Sequence, residues 1–300
     1  MNSYQQRPYQ EPDYQQTDYQ QATYRQRIEQ ARQLLQAADY LLVGGGAGLS
    51  DAAGLKYDGE RFREHFAPFI AQYGFSDMYS AGFYPFPTEE EKWAYWAQHI
   101  EVNRYQPPAA PLYLALRRLV ESRDYFVLTT NVDGQFAKAG FAPERLFAVQ
   151  GDYGLNQCAR ACHHQLYDNQ ALVAEMVAQS QNCRIPSRLV PRCPVCGGPM
   201  EVNLRKDSYF VEDEAWHAAE QRYRDFLHRA AGHKLVLLEL GVGFNTPGII
   251  RYPFEQMTYQ QPETWLLRLN ARQTQGVKEN AAKTICFSED MAAVIASLLG

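Results

Sequence analysis

Three observations predict an α/β fold built on a parallel sheet with helices on both faces. Short apolar runs recur at 40–43, 125–129, 146–149, 234–240, 264–269 and 284–287. Apolar residues at helical spacing separate several of them, notably over 112–122 and 209–231, the alternation expected when crossover helices cover both sheet faces. The first run feeds a glycine-dense turn, Gly44-Gly45-Gly46-Ala47-Gly48-Leu49-Ser50, where a strand passes into a helix. The expected architecture is Rossmann-like.

The elements follow in order. Tyrosines at 4, 9, 14, 19 and 24 repeat every five residues among glutamines, a period that suits neither helix nor strand. Residues 1–21 are therefore expected to form a disordered Tyr/Gln-rich tail, ahead of one domain over 22–300. Ile28, Ala31, Leu34, Leu35 and Ala38 recur at helical spacing and lead into the first strand. In the turn that follows, Gly46, Ala47, Gly48 and Ser50 can receive a diphosphate at a helix start. Gly44-x-Gly46-x-x-Leu49 lacks the third glycine of the usual fingerprint, so close backbone packing accounts for the turn on its own. From about 60 to 108 the rhythm is broken by Phe62, Phe66, Phe69, Tyr73, Trp93, Tyr95 and Trp96, among others, which reads as a helical insertion with an aromatic core or as a substrate-channel wall.

The cysteines fall into two pairs, Cys158-x3-Cys162 and Cys193-x2-Cys196. Each pair can present two thiolates from a tight turn, and together they complete a tetrahedral Zn2+ shell with no open position. The expected metal is structural, stapling a small zinc-ribbon lobe over about 155–205. His163, His164 and Cys183 are substitute ligands, and Cys286 reads as a buried strand residue.

Thr130, Asn131 and Asp133 follow the strand at 125–129, and Gln150-Gly151-Asp152 follows the next one. Ligands of open parallel sheets bind at such carboxyl ends. Each set alone reads as a capped turn; beside Gly46 to Ser50 they form a candidate ribose and nicotinamide pocket.

With these elements in order, residues 25–298 resemble the sirtuin family. Gly46-Ala47-Gly48-Leu49-Ser50 matches its GAG-x-S element, and Thr130-Asn131-Val132-Asp133 matches TQN-x-D without the glutamine. Gly241-Val242-Gly243, with Phe244 and Asn245, resembles its Gly-Thr-Ser stretch, and Leu269-Asn270 its ribose-contacting asparagine. The resemblance implies NAD as co-substrate, Asn131, Asp133 and Gln150 as catalytic-site residues, Asp58 as a weaker loop contact, and Gly241, Gly243, Asn245 and Asn270 on the adenosine side.

The departures bear on the reaction. Where the family carries a His-Gly pair as general base, this chain has Gln150-Gly151, and an amide accepts no proton at neutral pH. The Gly-Ile-Pro-Asp-Phe-Arg loop becomes Gly54-Leu55-Lys56-Tyr57-Asp58-Gly59. This set is similar to the macrodomain-linked (class M) microbial branch, which implies protein mono-ADP-ribosyl transfer to a lipoyl-carrier protein related to the glycine cleavage H protein, reversed by a partner macrodomain hydrolase. The rivals are an NAD-dependent lysine deacylase with a substitute base and an NAD- or ADP-ribose-binding interaction protein.

Composition sets the outer bounds. In 300 residues, 46% are hydrophobic, enough for a sizeable core without disulfides. A formal net charge of -5 gives no general attraction for nucleic acid or anionic membrane. There is no apolar run of the roughly 20 residues a membrane helix needs and no signal peptide, so the expected location is cytoplasmic.

Overall fold

A computed structural model describes residues 23–300; the tail expected over 1–21 lies outside the described residues. Thr23 opens the first helix, α1 (Tyr24–Ala37), through a capping box with Gln26: each residue satisfies a backbone N–H of the other. The chain then enters β1 (Tyr40–Gly45) and the short helix α2 (Ala47–Ala52). The insertion follows as α3 (Gly59–Tyr73), α4 (Met78–Ala81) and α5 (Glu89–Ile100), the last widening into a π turn over Glu101–Tyr105. Next come α6 (Pro111–Val120), β2 (Asp124–Thr129), α7 (Gln135–Lys138) and β3 (Leu146–Ala148). The small lobe holds β4 (Gly151–Cys158), β5 (Tyr167–Asp168), α8 (Gln170–Gln179) and β6 (Met200–Leu204). The chain returns through α9 (Glu214–Ala230), β7 (Leu235–Leu240), α10 (Arg251–Gln260), β8 (Thr264–Leu269), β9 (Thr284–Phe287) and α11 (Met291–Leu299).

The large sheet has the order β3-β2-β1-β7-β8-β9, with every pairing parallel. Alternation along the strands divides its side chains between two cores. Leu41 and Val43 face the core shared with Ile28, Leu116 and Val294, while Leu42 and Leu237 face Phe226 and Phe254. Strand order reverses between β1 and β7, so their carboxyl ends flank the switch-point crevice where such sheets bind ligands.

The expected strands and the helical insertion are present. The helix expected over 209–231 starts at Glu214 because the Asp213 carboxylate accepts the Trp216 N–H at 2.8 Å and caps it. The small lobe is an antiparallel sheet of order β5-β4-β6. Its apolar face is covered by the insertion, with Phe62, Phe66, Trp93 and Tyr95 sharing one core with Met176, Met200 and Val202. Among the described residues, no helix is long and apolar enough to cross a membrane.

Candidate active site

The glycine turn is shaped by the backbone beside it. A Cβ on Gly46 would stand 2.7 Å from the Gly241 carbonyl oxygen, and one on Gly48 would stand 2.8 Å from Gly241 Cα. Side chains are therefore excluded where α2 meets the loop after β7. Two of the turn's N–H groups are engaged there: Gly46 donates to Leu240 O at 3.0 Å and Gly48 to Gly241 O at 2.9 Å. Ala47 is exposed at the start of α2.

Ser50 turns inward and joins Asn131 and Asp133. Its hydroxyl contacts the Asp133 carboxylate and lies 2.9 Å from the Tyr113 hydroxyl. Asn131 Nδ2 donates to Gly46 O at 2.9 Å, Ser50 Oγ at 3.0 Å and Tyr113 OH at 3.2 Å. Thr129 places this asparagine: its hydroxyl accepts the Asn131 N–H at 3.0 Å and donates to Gly45 O at 2.9 Å. Asp133 also accepts the Gln135 N–H at 2.9 Å. Burial raises the pKa of Asp133, opposed by the bonds from Ser50 and Gln135. The cluster is a neutral hydrogen-bond donor set around one buried carboxyl, suited to holding a ribose and complementing positive charge.

Gln150 lies between β3 and β4, half-buried. Its carbonyl accepts from Arg205 N at 3.1 Å, and its side chain makes no hydrogen bond to Asn131. The turn it heads demands glycine next, since Gly151 has φ +101 and a Cβ there would lie 2.0 Å from Asn203 O. The adjoining Tyr153 N–H donates to Val132 O at 2.9 Å, so the head of β4 runs beside the Asn131–Asp133 segment. Asp152 forms a fork with Arg104, at 2.7 and 3.2 Å. That pair borders a cleft of about 320 Å³ with Tyr105, Lys138, Asp168 and Gln170; of the residues expected at the site, Asp152 alone lines it.

On the other side of the switch point, Asn270 donates to Val242 O at 2.9 Å, and Gly243 packs toward Gln273. Asn245 and Asp58 are exposed. Asp58 precedes α3 without a side-chain cap bond, and no bond joins either residue to the cluster.

Several site residues escaped sequence reasoning. Tyr113 reads in the sequence as one more apolar position of α6, yet it is fully buried with its hydroxyl in the Ser50–Asn131 network. Tyr57, in the altered loop, pairs its hydroxyl with that of Tyr153 at 2.8 Å, and burial pushes its pKa up to about 12. His99 packs 4.9 Å from the Tyr153 ring, with its pKa pushed down to about 3 by burial. Helical periodicity marks Tyr113 and His99 as core and carries no sign of what their polar ends meet.

The four cysteine sulfurs lie within 4.8 Å of one another, with Cys158–Cys196 and Cys162–Cys193 contacts of 3.7 Å. Tetrahedral Zn–S bonds of about 2.3 Å place sulfurs about 3.8 Å apart, so the cluster fits a structural Zn2+. His163 stands beside it, 3.1 Å from Cys162 Sγ, with its other nitrogen bonded to Tyr167 OH at 2.8 Å. Cys183 is buried in the insertion core and Cys286 in β9.

No family model matches the chain. A "Protein ADP-ribosyltransferase" of Staphylococcus aureus is 38% identical over 272 residues, covering 90% of this chain and 86% of that protein. A "Probable bifunctional ADP-ribose hydrolase/ADP-ribosyltransferase" of Fusarium oxysporum is 35% identical over 76% of this chain, which spans only 39% of that longer protein. An "NAD-dependent protein deacylase" of Thermus thermophilus is 26% identical over 66% of this chain and 70% of its own length. Among solved structures, one described under "Structural Basis for the Mechanism and Regulation of Sir2 Enzymes" superposes with a TM-score of 0.55 at 16% identity, covering 91% of this chain and 96% of that one. A Sir2 homolog–NAD complex gives 0.54 at 14% identity, over 90% and 92%. A bacterial relative this similar along most of both chains decides the membership: this chain belongs to the family of that ADP-ribosyltransferase, and it has the fold of the solved Sir2 enzymes.

Proposed function

We propose that this enzyme is a protein mono-ADP-ribosyltransferase of the macrodomain-linked branch. The observation that carries the reading is Gln150, a neutral amide at the turn where deacylation needs a base. His99 is no substitute: a ring held to a pKa of about 3 is too weak a base to take a ribose proton. Transfer does not need one. The N-glycosidic bond of NAD breaks with its electron pair leaving on nicotinamide, the ribose C1 takes on oxocarbenium character, and an acceptor side chain forms the new bond while its proton passes to solvent. Asn131 would orient the ribose or the acceptor, Asp133 would complement the developing positive charge, and Gln150 would hold a ribose hydroxyl and align the acceptor.

The names of the Staphylococcus and Fusarium relatives support this reading. In the fungal protein the transferase is joined to an ADP-ribose hydrolase by name, which supports a separate macrodomain hydrolase as partner here. The proposed acceptor is a lipoyl-carrier protein of the glycine cleavage H type, and the proposed location is the cytoplasm. Protein deacylation is the second reading, favoured by the Thermus relative and by retention of the Asn131–Asp133 cluster.

The test is mass-resolved ADP-ribose incorporation into a lipoyl-carrier protein with nicotinamide release measured in parallel. Gln150→Ala and Asn131→Ala, both folded, are each expected to lower incorporation at least about tenfold, roughly 1.4 kcal/mol of transition-state stabilisation. Deacylated peptide and O-acyl-ADP-ribose without any modified protein would replace transfer by deacylation. NAD binding without either product would leave a binding protein.

A further inference from the structure

Four charged side chains are buried together beneath the β7–β8 side of the crevice: Glu239, Arg268 and Arg251 at 0% exposure and Glu255 at 4%. Arg268 neutralises Glu239 with a fork of 2.7 and 2.9 Å, and its Nη1 lies 2.8 Å from Glu255. Such a bidentate pair meets the main demand of a buried carboxylate. Arg251 adds a longer bond to the same carboxylate, with Nη1 3.4 Å from Glu239 Oε1.

Its donors go mainly to backbone. Arg251 donates to Val242 O at 3.1 Å, to Gln273 O at 3.1 Å and to Gln275 O, and its guanidinium lies 4.3 Å over the Phe244 ring. These acceptors sit on two loops, 241–245 after β7 and 270–277 after β8. Asn270 ties the same loops, donating to Val242 O at 2.9 Å and accepting the N–H groups of Arg272 and Gln273 at 3.0 and 2.9 Å. Both loops leave carboxyl ends of the sheet next to the switch point, where the ligand crevice lies.

We propose that Arg251 is a positioning residue for the adenosine half of NAD: one buried cation that locks the 241–245 and 270–277 loops into a single binding edge without touching the reacting atoms. The planar fork reaches several carbonyls at once, which a lysine's point charge does not. The inference rests on NAD binding at this crevice and is independent of whether transfer or deacylation follows.

The experiment uses the full chain with Arg251→Lys, Arg251→Gln and Phe244→Leu, the last leaving the buried ions in place. Nicotinamide release is measured against NAD concentration, ADP-ribose affinity by calorimetry and folding by thermal midpoint. For the arginine variants, KM for NAD and Kd for ADP-ribose are expected to rise together by about tenfold, with kcat within about twofold and nicotinamide inhibition unchanged. Phe244→Leu is expected to shift the same two constants about threefold. Arg251→Lys should recover the thermal midpoint more fully than the affinity. A lower kcat at unchanged KM would mark a purely structural arginine and overturn the proposal, as would unchanged constants in folded Arg251→Lys. If both arginine variants fail to fold, unchanged constants in Phe244→Leu overturn it. Wild-type protein without ADP-ribose affinity would remove the NAD site itself, a failure distinct from that of Arg251.

Discussion

The large sheet and the small lobe reach stability by opposite means. Each central strand of the sheet is buried on both faces, as in β7, where all six residues are covered between two apolar cores. The small lobe's sheet has only β4, β5 and β6, too little surface for a core of its own. It borrows one from the insertion on one side and gathers four sulfurs at the other end. The difference shows where function can sit: the rigid sheet supplies strand ends, while Gln150 immediately precedes β4 and Tyr153 lies on it, the strand whose far end is Cys158. The geometry of the candidate acceptor side therefore depends on the metal lobe.

The largest expected effect breaks this contrast at its weaker member. Cys193→Ala removes one corner of the sulfur cluster and is expected to abolish zinc binding at about one ion per chain, lowering lobe stability by on the order of 3 kcal/mol or more. Metal analysis and protease susceptibility within 155–205 check it. Full zinc content with an unchanged cleavage rate would reject Cys193 as a ligand.

A second, smaller break lies where α2 leaves the sheet. Gly48→Val places a branched side chain where Gly241 Cα is 2.8 Å from the would-be Cβ, and overpacking of backbone on backbone costs about 1–3 kcal/mol. The α2 start must move away from the loop after β7, so NAD affinity is expected to fall at least about tenfold while zinc content stays at the wild-type level. Calorimetric NAD affinity equal to that of wild type in the folded variant would remove the turn from the site.

The two regions also differ in how much of them a reader of the sequence can see. Sheet strands announce themselves as apolar runs, and β8 and β9 coincide with the runs at 264–269 and 284–287. The cysteine spacing gives the sulfur cluster directly, because four ligands of one type at short separations have few other uses. Strands β4 and β6 are not legible: they mix Asn156, Gln157 and Asn203 into buried positions, where Asn203 Nδ2 donates to Gln157 Oε1 at 2.7 Å and replaces apolar alternation by side-chain pairing. Of the site, Ser50, Asn131 and Asp133 were visible as polar residues at strand or helix ends. Tyr113 and Arg251 were hidden because each sits at the buried phase of a helix, where periodicity predicts only burial.

The smallest expected effect sharpens the comparison through pH. His99 lies in the insertion core that covers the small lobe, with Nδ1 3.2 Å from Tyr95 OH and Nε2 without a hydrogen-bond partner among the described residues. Burial, with a smaller contribution from Arg61, pushes its pKa down to about 3, against about 6.5 for an unfolded histidine. The unfolded chain thus binds a proton that the folded core refuses. The neutral ring's contribution is fully present above the unfolded value and is lost as pH falls toward the folded one. Between pH 6.5 and 5 the wild type is expected to lose about 1.5 kcal/mol through this residue alone. His99→Phe fills the same aromatic packing without a titrating nitrogen, so its midpoint should decline less than that of the wild type over that interval. Zinc ligands titrate equally in both proteins, and the difference between them isolates the ring. Parallel acid limbs for the two proteins would mean that His99 is not held neutral by the core, and that the insertion packs on the small lobe more loosely than its aromatic contacts imply.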